Sequence, residues 1–406
     1  MQREFSFSKQ DNFMMNKKVL LYISLLVIMA GCRGDGKQST NDFITVDVTR
    51  TYPKKELILQ DFMDVEYIAL ETNDEFVNQG VVMAIGKEII AVKNNLRDGD
   101  IFIYDRNGKA LRKINRMGQG GEEYTYISSI TLDEDNGEMF VVDSRKILVY
   151  DLFGKFKRSF MPSYSNIYSF DRESFICHDR SFDMDVEETE KPPFVIISKQ
   201  DGSVLKEIRP TCQQKRPGTV TSRRNDISIV AYTSNFPFTS IIPWHGSWIL
   251  TVYSNDTVFN YLPDHSMIPF MVRTPSIQSN NPEAFLSPGI LTAPYWFLQT
   301  EKSEPEFVGT NVNDARVFWP ETYLMYDRKE KAIYEYKVYN DDYSNQITVN
   351  MSHNTINDEI AFRQKIEAYQ LVDAYEKGEL KGRLKEIAAG LDAEDNPVIM
   401  VAKYKN

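Results

Sequence analysis

The chain has 406 residues, of which 42% are hydrophobic and 12% aromatic, with 58 acidic against 47 basic side chains and a net charge of −11. An acidic surface repels a phosphate backbone, so nucleic acid is excluded as an expected partner. Only three cysteines and 20 glycines are present, which excludes a disulfide-stapled or low-complexity chain and fits a large packed β protein.

The amino terminus reads as an address. Lys17-Lys18 is a positive region, and Val19–Met29 is an apolar run too short to span a bilayer but suited to a signal-peptide core. Met29-Ala30-Gly31-Cys32 ends it in the manner of a bacterial lipobox, whose cysteine becomes the lipidated first residue. A start at Met14 or Met15 would give a more ordinary signal length. Residues 1–31 are therefore expected to be a lipoprotein signal peptide, and residues 32–42 a lipidated Cys32 with a polar tether. Arg33 rather than Asp follows Cys32, which by bacterial sorting rules favours the outer membrane. Residues 1–31 hold four basic and two acidic side chains, leaving 43 basic against 56 acidic, net −13. Cys177 and Cys212 also remain, and their spacing fits one disulfide as well as two buried thiols.

From residue 43 onward short β runs dominate. Phe43–Val48 and Phe62–Glu71 are the opening strand candidates. Val81–Ile85, Glu88–Val92, Asp100–Tyr104 and Ala110–Ile114 form a four-run unit. A second unit follows the Gly-rich stretch Gly118–Tyr124, with runs at Ile127–Asp133, Glu138–Asp143, Lys146–Asp151 and Lys155–Phe160. Gly108, Gly154 and Gly202 close equivalent turns 46 and 48 residues apart, the spacing of propeller blades. Further units run through Thr239–Val272 and Gly289–Tyr339, the latter interrupted by an insertion at 302–320. About 310 residues at this period suit six blades better than seven. Asn357–Ala389 has helical spacing in two segments broken near Gly378, and residues 397–404 form a closing strand. The terminal strands are expected to complete one mixed sheet and so close the ring.

Phe62–Thr72, Gly118–Tyr124, Ser254–Phe259 and Asn396–Ile399 together resemble the six-bladed β-propeller lipoproteins of Bacteroidetes, akin to NHL-type and TolB-like propellers. The chain departs from that pattern at Ala69 and Gly121, where the family usually carries Pro. The resemblance implies a six-bladed, all-β ring of four-stranded antiparallel blades over residues 43–406, commonly encoded near glycan-uptake systems, with no settled activity.

Chemical motifs are sparse. The Gly-rich run lacks the Lys-Ser/Thr of a phosphate loop and lies between strands. Asp133–Glu138 has its glycine at the fifth place and reads as a hairpin turn rather than a calcium loop. No two of the four histidines have zinc-pair spacing, and no Gly-x-Ser-x-Gly elbow occurs, so neither catalytic residue nor metal ligand is assigned. No cofactor is predicted, with calcium the alternative, since enzymes on related six-bladed folds place carboxylates and amides at the channel mouth, sometimes around a calcium ion. His178, beside Asp179, is the most suggestive histidine. Trp244, Trp296 and Trp319 concentrate in the fourth and fifth units, where exposed indoles would stack on sugar faces, the alternative being wedges between blades. Trp248, inside a strand, reads as core. The expectation is an envelope lipoprotein that captures a glycan or peptide without catalysis. Alternatives are a metal-dependent hydrolase or lyase with a channel-centred site, and an envelope scaffold that docks a protein partner through the 357–389 segment.

Overall fold

The computed structural model describes residues 43–94, 97–143, 146–161, 164–179, 182, 191–211, 222–224, 229–231, 241–252, 255–279, 282–303, 306–308, 316–353 and 355–405. The expected signal peptide, the tether and Cys32 lie outside these residues, as does Cys212, the suggested partner of Cys177.

Antiparallel sheets succeed one another along the chain as the blades of a six-bladed β-propeller. Blade I holds Val81–Ile85, Ile89–Lys93, Asp100–Asp105 and Ala110–Asn115. Blade II holds Ser129–Asp133, Glu138–Val142, Ile147–Asp151 and Phe156–Phe160. Blade III holds Ser165–Ser169, Ser174–His178, Phe194–Ser198 and Val204–Ile208. Blade IV is built from Ile241–Trp244, Ser247–Leu250, Thr257–Tyr261 and Met267–Thr274. Blade V uses Ala284–Leu291, Tyr295–Lys302, Glu321–Asp327 and Ala332–Tyr339, with its insertion forming the hairpin Glu306–Val308 and Arg316–Phe318.

Each blade has two apolar faces and cannot bury them alone, so the buried hydrophobics fall into six clusters, each bridging neighbouring blades. Between blades I and II, for example, Ile101 and Ile103 pack with Met139 and Val141.

The turn chemistry works as its residues require. Gly108, Gly154 and Gly202 have φ of +85°, +84° and +73°. A Cβ on Gly154 would stand 2.6 Å from the Ile114 side chain of blade I, and one on Gly202 would stand 2.4 Å from the Phe160 ring of blade II. Ile114 and Phe160, at the ends of the outer strands of blades I and II, thus pack on the third turn of the next blade. Gly108 is approached likewise by the end of Met63–Ala69, through the Ala69 carbonyl and the Ile68 side chain, and that strand is the outer one of blade VI.

Blade VI joins the two ends of the chain. Val398–Tyr404 pairs antiparallel with Met63–Ala69 on one side and with Ile360–Ile366 on the other. The closing sheet is therefore wholly antiparallel, not mixed. Parallel pairing occurs instead where the amino-terminal segment crosses two other blades. Ile44–Asp47 runs parallel to Met267–Thr274 on the edge of blade IV, and Lys54–Ile58 runs parallel to Ala332–Tyr339 on the edge of blade V.

The expectation of helix over 357–389 is corrected in part. Ala368–Glu376 and Gly382–Ala388 are helices, flanking Gly378 at φ +68°, but Ile360–Ile366 is a strand. Its polar centre, Arg363-Gln364-Lys365, mimics a helical period because this strand is not buried throughout. The corresponding strands of blades I to IV are buried almost end to end. Since Ile360–Ile366 lies third from the outer edge, the innermost position of blade VI falls, among the described residues, to 350–353 and 355–357. That segment leans on blade V, where the Met351 carbonyl accepts from the Ile290 N–H at 2.9 Å.

Candidate axial site

The innermost strands of blades I to IV line an axial cavity of about 480 Å³, within the range of small-ligand pockets. Its wall carries hydroxyls from Ser129, Thr131 and Ser169 and aromatic rings from Tyr168, Phe170 and Trp248. Blade VI contributes Asn357, Asp358 and Arg363. A second cavity of about 550 Å³ lies beside Gly80–Val82, Ser352, His353, Phe362 and Lys365, and Arg363 lines both.

Among the described residues no ladder strand covers Arg363 on the axial side. Its Nε and Nη2 donate to the Val82 carbonyl of blade I at 3.1 and 2.5 Å, bridging the first and last blades. Among the described residues no carboxylate lies within ion-pair distance of it. Burial lowers its proton affinity and the nearby Tyr168 raises it, but a guanidinium stays charged at neutral pH. Burial pushes the Tyr168 phenol up to about 12 and the Arg363 charge pulls it back, so the hydroxyl remains a donor. Among the described residues nothing hydrogen-bonds that hydroxyl. His353 stacks on Phe362 at 5.0 Å, and burial, then repulsion from Arg363, lowers its proton affinity. Lys365 in the second cavity is already paired with Glu367 at 2.5 Å.

The residues singled out by sequence are dispersed. Trp296 is 7% exposed and packs between blades IV and V against Phe270 at 4.5 Å and Trp244 at 6.1 Å. Trp244 is half-buried in the same cluster, so neither indole lines the axial cavity. The wedge alternative holds for this pair, since a toroid must fill the space between diverging blades. His178 is 4% exposed at the end of its strand, with Phe194 at 5.5 Å, away from the cavity wall. Trp319 is half-buried next to the insertion hairpin. Trp248 packs in the core between blades III and IV and also forms part of the cavity wall.

The motif runs prove to be structural. The Tyr124 hydroxyl donates to the Gly99 carbonyl at 2.7 Å and accepts from the Arg116 N–H at 2.9 Å, pinning the Gly-rich turn between blades I and II. The Glu134 carboxylate accepts from the Lys87, Glu88 and Ile89 amides of blade I, so the acidic run serves an inter-blade cap. Among the described residues, no three His, Cys, Asp or Glu side chains converge as a metal cage.

Sequence reasoning missed Arg363. The available signal was a basic residue at the centre of an otherwise apolar run, Ile360-Ala-Phe-Arg-Gln-Lys-Ile366.

The family model for a domain of unknown function (DUF4934) matches residues 43–403. No protein with a curated record is similar to the chain in sequence. Among solved structures, that of a Bacteroides fragilis protein described as exported superposes with a TM-score of 0.58 at 13% identity, covering 90% of this chain and 100% of that one. A Bacteroides vulgatus member of the DUF4221 family gives 0.42 at 9% identity, covering 86% and 99%. Virginiamycin B lyase from Staphylococcus aureus gives 0.31 at 9% identity, covering 63% and 88%. The first similarity shows a shared fold, and the other two are too distant to carry an argument.

Proposed function

The chain belongs to the DUF4934 family, and from that premise we infer that it is an envelope lipoprotein whose propeller binds a small ligand in its axial cavity. The observation that carries this is the cavity itself, whose lining combines Tyr168 and Trp248 with Ser129, Thr131 and Ser169. Stacking surfaces with a few convergent polar groups suit a sugar ring or a short peptide. The export signal, the Cys32 lipobox and the described export of the Bacteroides fragilis relative support an envelope address, with Arg33 favouring the outer membrane.

Two experiments test it. A thermal-shift screen of the purified protein against neutral oligosaccharides, acidic sugars and short peptides should raise the melting temperature with one ligand class, because a ligand that binds only the folded state stabilises it. Trp248→Ala should abolish the shift. Arms with calcium and with a chelator test the metal-centred alternative, which a calcium-specific rise would favour. Separately, Cys32→Ser should release the protein from the membrane fraction, whereas unchanged fractionation would remove the anchor.

A further inference from the structure

The axial cavity has an electrostatic feature that aromatic stacking does not use. Arg363, half-buried, is the basic residue on its wall, and a guanidinium drawn partly out of water is costly unless an anion or several acceptors compensate it. Val82 supplies one acceptor, shared by Nε and Nη2. The five N–H donors of an arginine are therefore mostly uncommitted within the described structure. Asp358 lines the same cavity but is exposed and makes no ion pair with Arg363 among the described residues. Tyr168 lines the same cavity, near enough for the two groups to influence each other electrostatically.

We propose that the axial cavity recognises a small organic carboxylate, with the Arg363 guanidinium as its charge partner and the Tyr168 hydroxyl as a neighbouring donor. This rests on the binding-module reading and specifies the ligand's chemistry. A planar guanidinium fork matches a carboxylate bidentately, and such charge-assisted hydrogen bonds are about twice as strong as neutral ones. Valence favours a monoanion. One cation matches one carboxylate, whereas a phosphate dianion would bring a second, unmatched charge into a cavity that Asp358 also lines. His353 does not alter this balance, because the same burial and the same arginine oppose its protonation. Both an acidic sugar and a peptide with a free carboxy terminus present the required group.

The test is calorimetric titration of the full chain, purified in detergent, with two matched pairs of probes. D-Glucuronate is compared with D-glucose, and N-acetyl-alanyl-alanine with its carboxamide. The carboxylate member of at least one pair should bind roughly 10-fold to 100-fold more tightly than its uncharged counterpart. Which pair discriminates identifies the source of the carboxylate. Arg363→Gln should remove the preference, Arg363→Lys should keep part of it, and Tyr168→Phe should weaken it. Melting temperatures of the three variants separate lost binding from lost folding. If Arg363→Gln does not fold, the wild-type comparison and Tyr168→Phe decide. Equal binding of charged and uncharged probes, or a preference that survives in folded Arg363→Gln, overturns the proposal and leaves the binding-module reading standing. Failure of all four probes to bind at millimolar concentration overturns the proposal, while the wider ligand screen judges the reading beneath it.

Discussion

Glu301 and Glu321 stand opposite one another on adjacent strands of blade V, with the Tyr323 hydroxyl bonded to Glu321. Burial first, and then repulsion from Glu321, raises the Glu301 carboxyl from 4.5 to about 7. The folded state therefore holds a proton that the unfolded chain releases as pH rises from 4.5 to about 7. Stability from this site is fully present below pH 4.5 and is lost across that interval. Glu301→Gln should raise the melting temperature at pH 8, by on the order of 1–3 kcal/mol in stability, and change little at pH 4.5. Thermal melts at the two pH values check it. Glycines allow an equally sharp comparison. Gly108 has φ +85° and a Cβ there would sit 2.0 Å from the Ala69 carbonyl oxygen, whereas Gly137 has φ +63° and nothing within 4 Å. Gly137→Ala should cost about 1 kcal/mol, the backbone penalty alone. Gly108→Ala should cost about 3 kcal/mol or more, because the penalty is joined by a backbone clash at the ring junction. Denaturant midpoints of the two variants measure the difference.

At the scale of elements, the amino-terminal segment covers edges that would otherwise be open. The outer strands Met267–Thr274 and Ala332–Tyr339 are capped by Ile44–Asp47 and Lys54–Ile58. Buried Val46 and Leu57 fix this segment, and Lys55 donates to the buried carboxylate of Asp327 at 2.7 Å. Unpaired edge strands template association. Removal of residues 43–58 should therefore leave a protein that aggregates, seen as concentration-dependent light scattering, while a variant truncated only before Phe43 stays monodisperse. Arginines on outer strands reinforce the neighbouring blades. Arg112 and Arg116 donate to the Leu152 and Gly154 carbonyls, and Arg158 to those of Lys199 and Gln200. These charge-assisted bonds tie one blade to the next where the blades are farthest apart.

Across the whole molecule, stability depends on how the ring is closed. Asn396 lies 2% exposed at the junction, accepting from the Asn78 amide at 2.8 Å and donating to the Glu71 and Phe76 carbonyls at 2.8 and 2.6 Å. Asn396→Ala would remove the partner of the buried Asn78 amide and Phe76 carbonyl and of the part-buried Glu71 carbonyl, and the expected cost is about 2–4 kcal/mol. A ring loses cooperativity when its junction weakens, so hydrogen exchange in Val398–Tyr404 and Met63–Ala69 should accelerate before that in blade II. Uniform acceleration throughout would show that the junction is no weaker than the other interfaces.

The repeat unit, its strands and the turns of blades I and II were legible in the sequence, because alternation, β-branched residues and glycine at positive φ act within a few residues. Gly108, Gly154 and Gly202 alone gave the blade period. The all-antiparallel closing sheet, the parallel edge strands and the strand Ile360–Ile366 were not legible. Each depends on partners far apart in the chain, as between Asn78 and Asn396 at a separation of 318 residues. The same reason hid the candidate site. Tryptophans marked blades IV and V by composition, yet packing turned Trp244 and Trp296 into the wedge between them. An arginine unremarkable in sequence stands at the axis, where no ladder strand among the described residues covers it, bonded to Val82, 281 residues away. Local sequence determined that blades form. Only the tertiary structure decided which side chains their closure left facing the cavity, since that is set by contacts between segments that the chain brings together last.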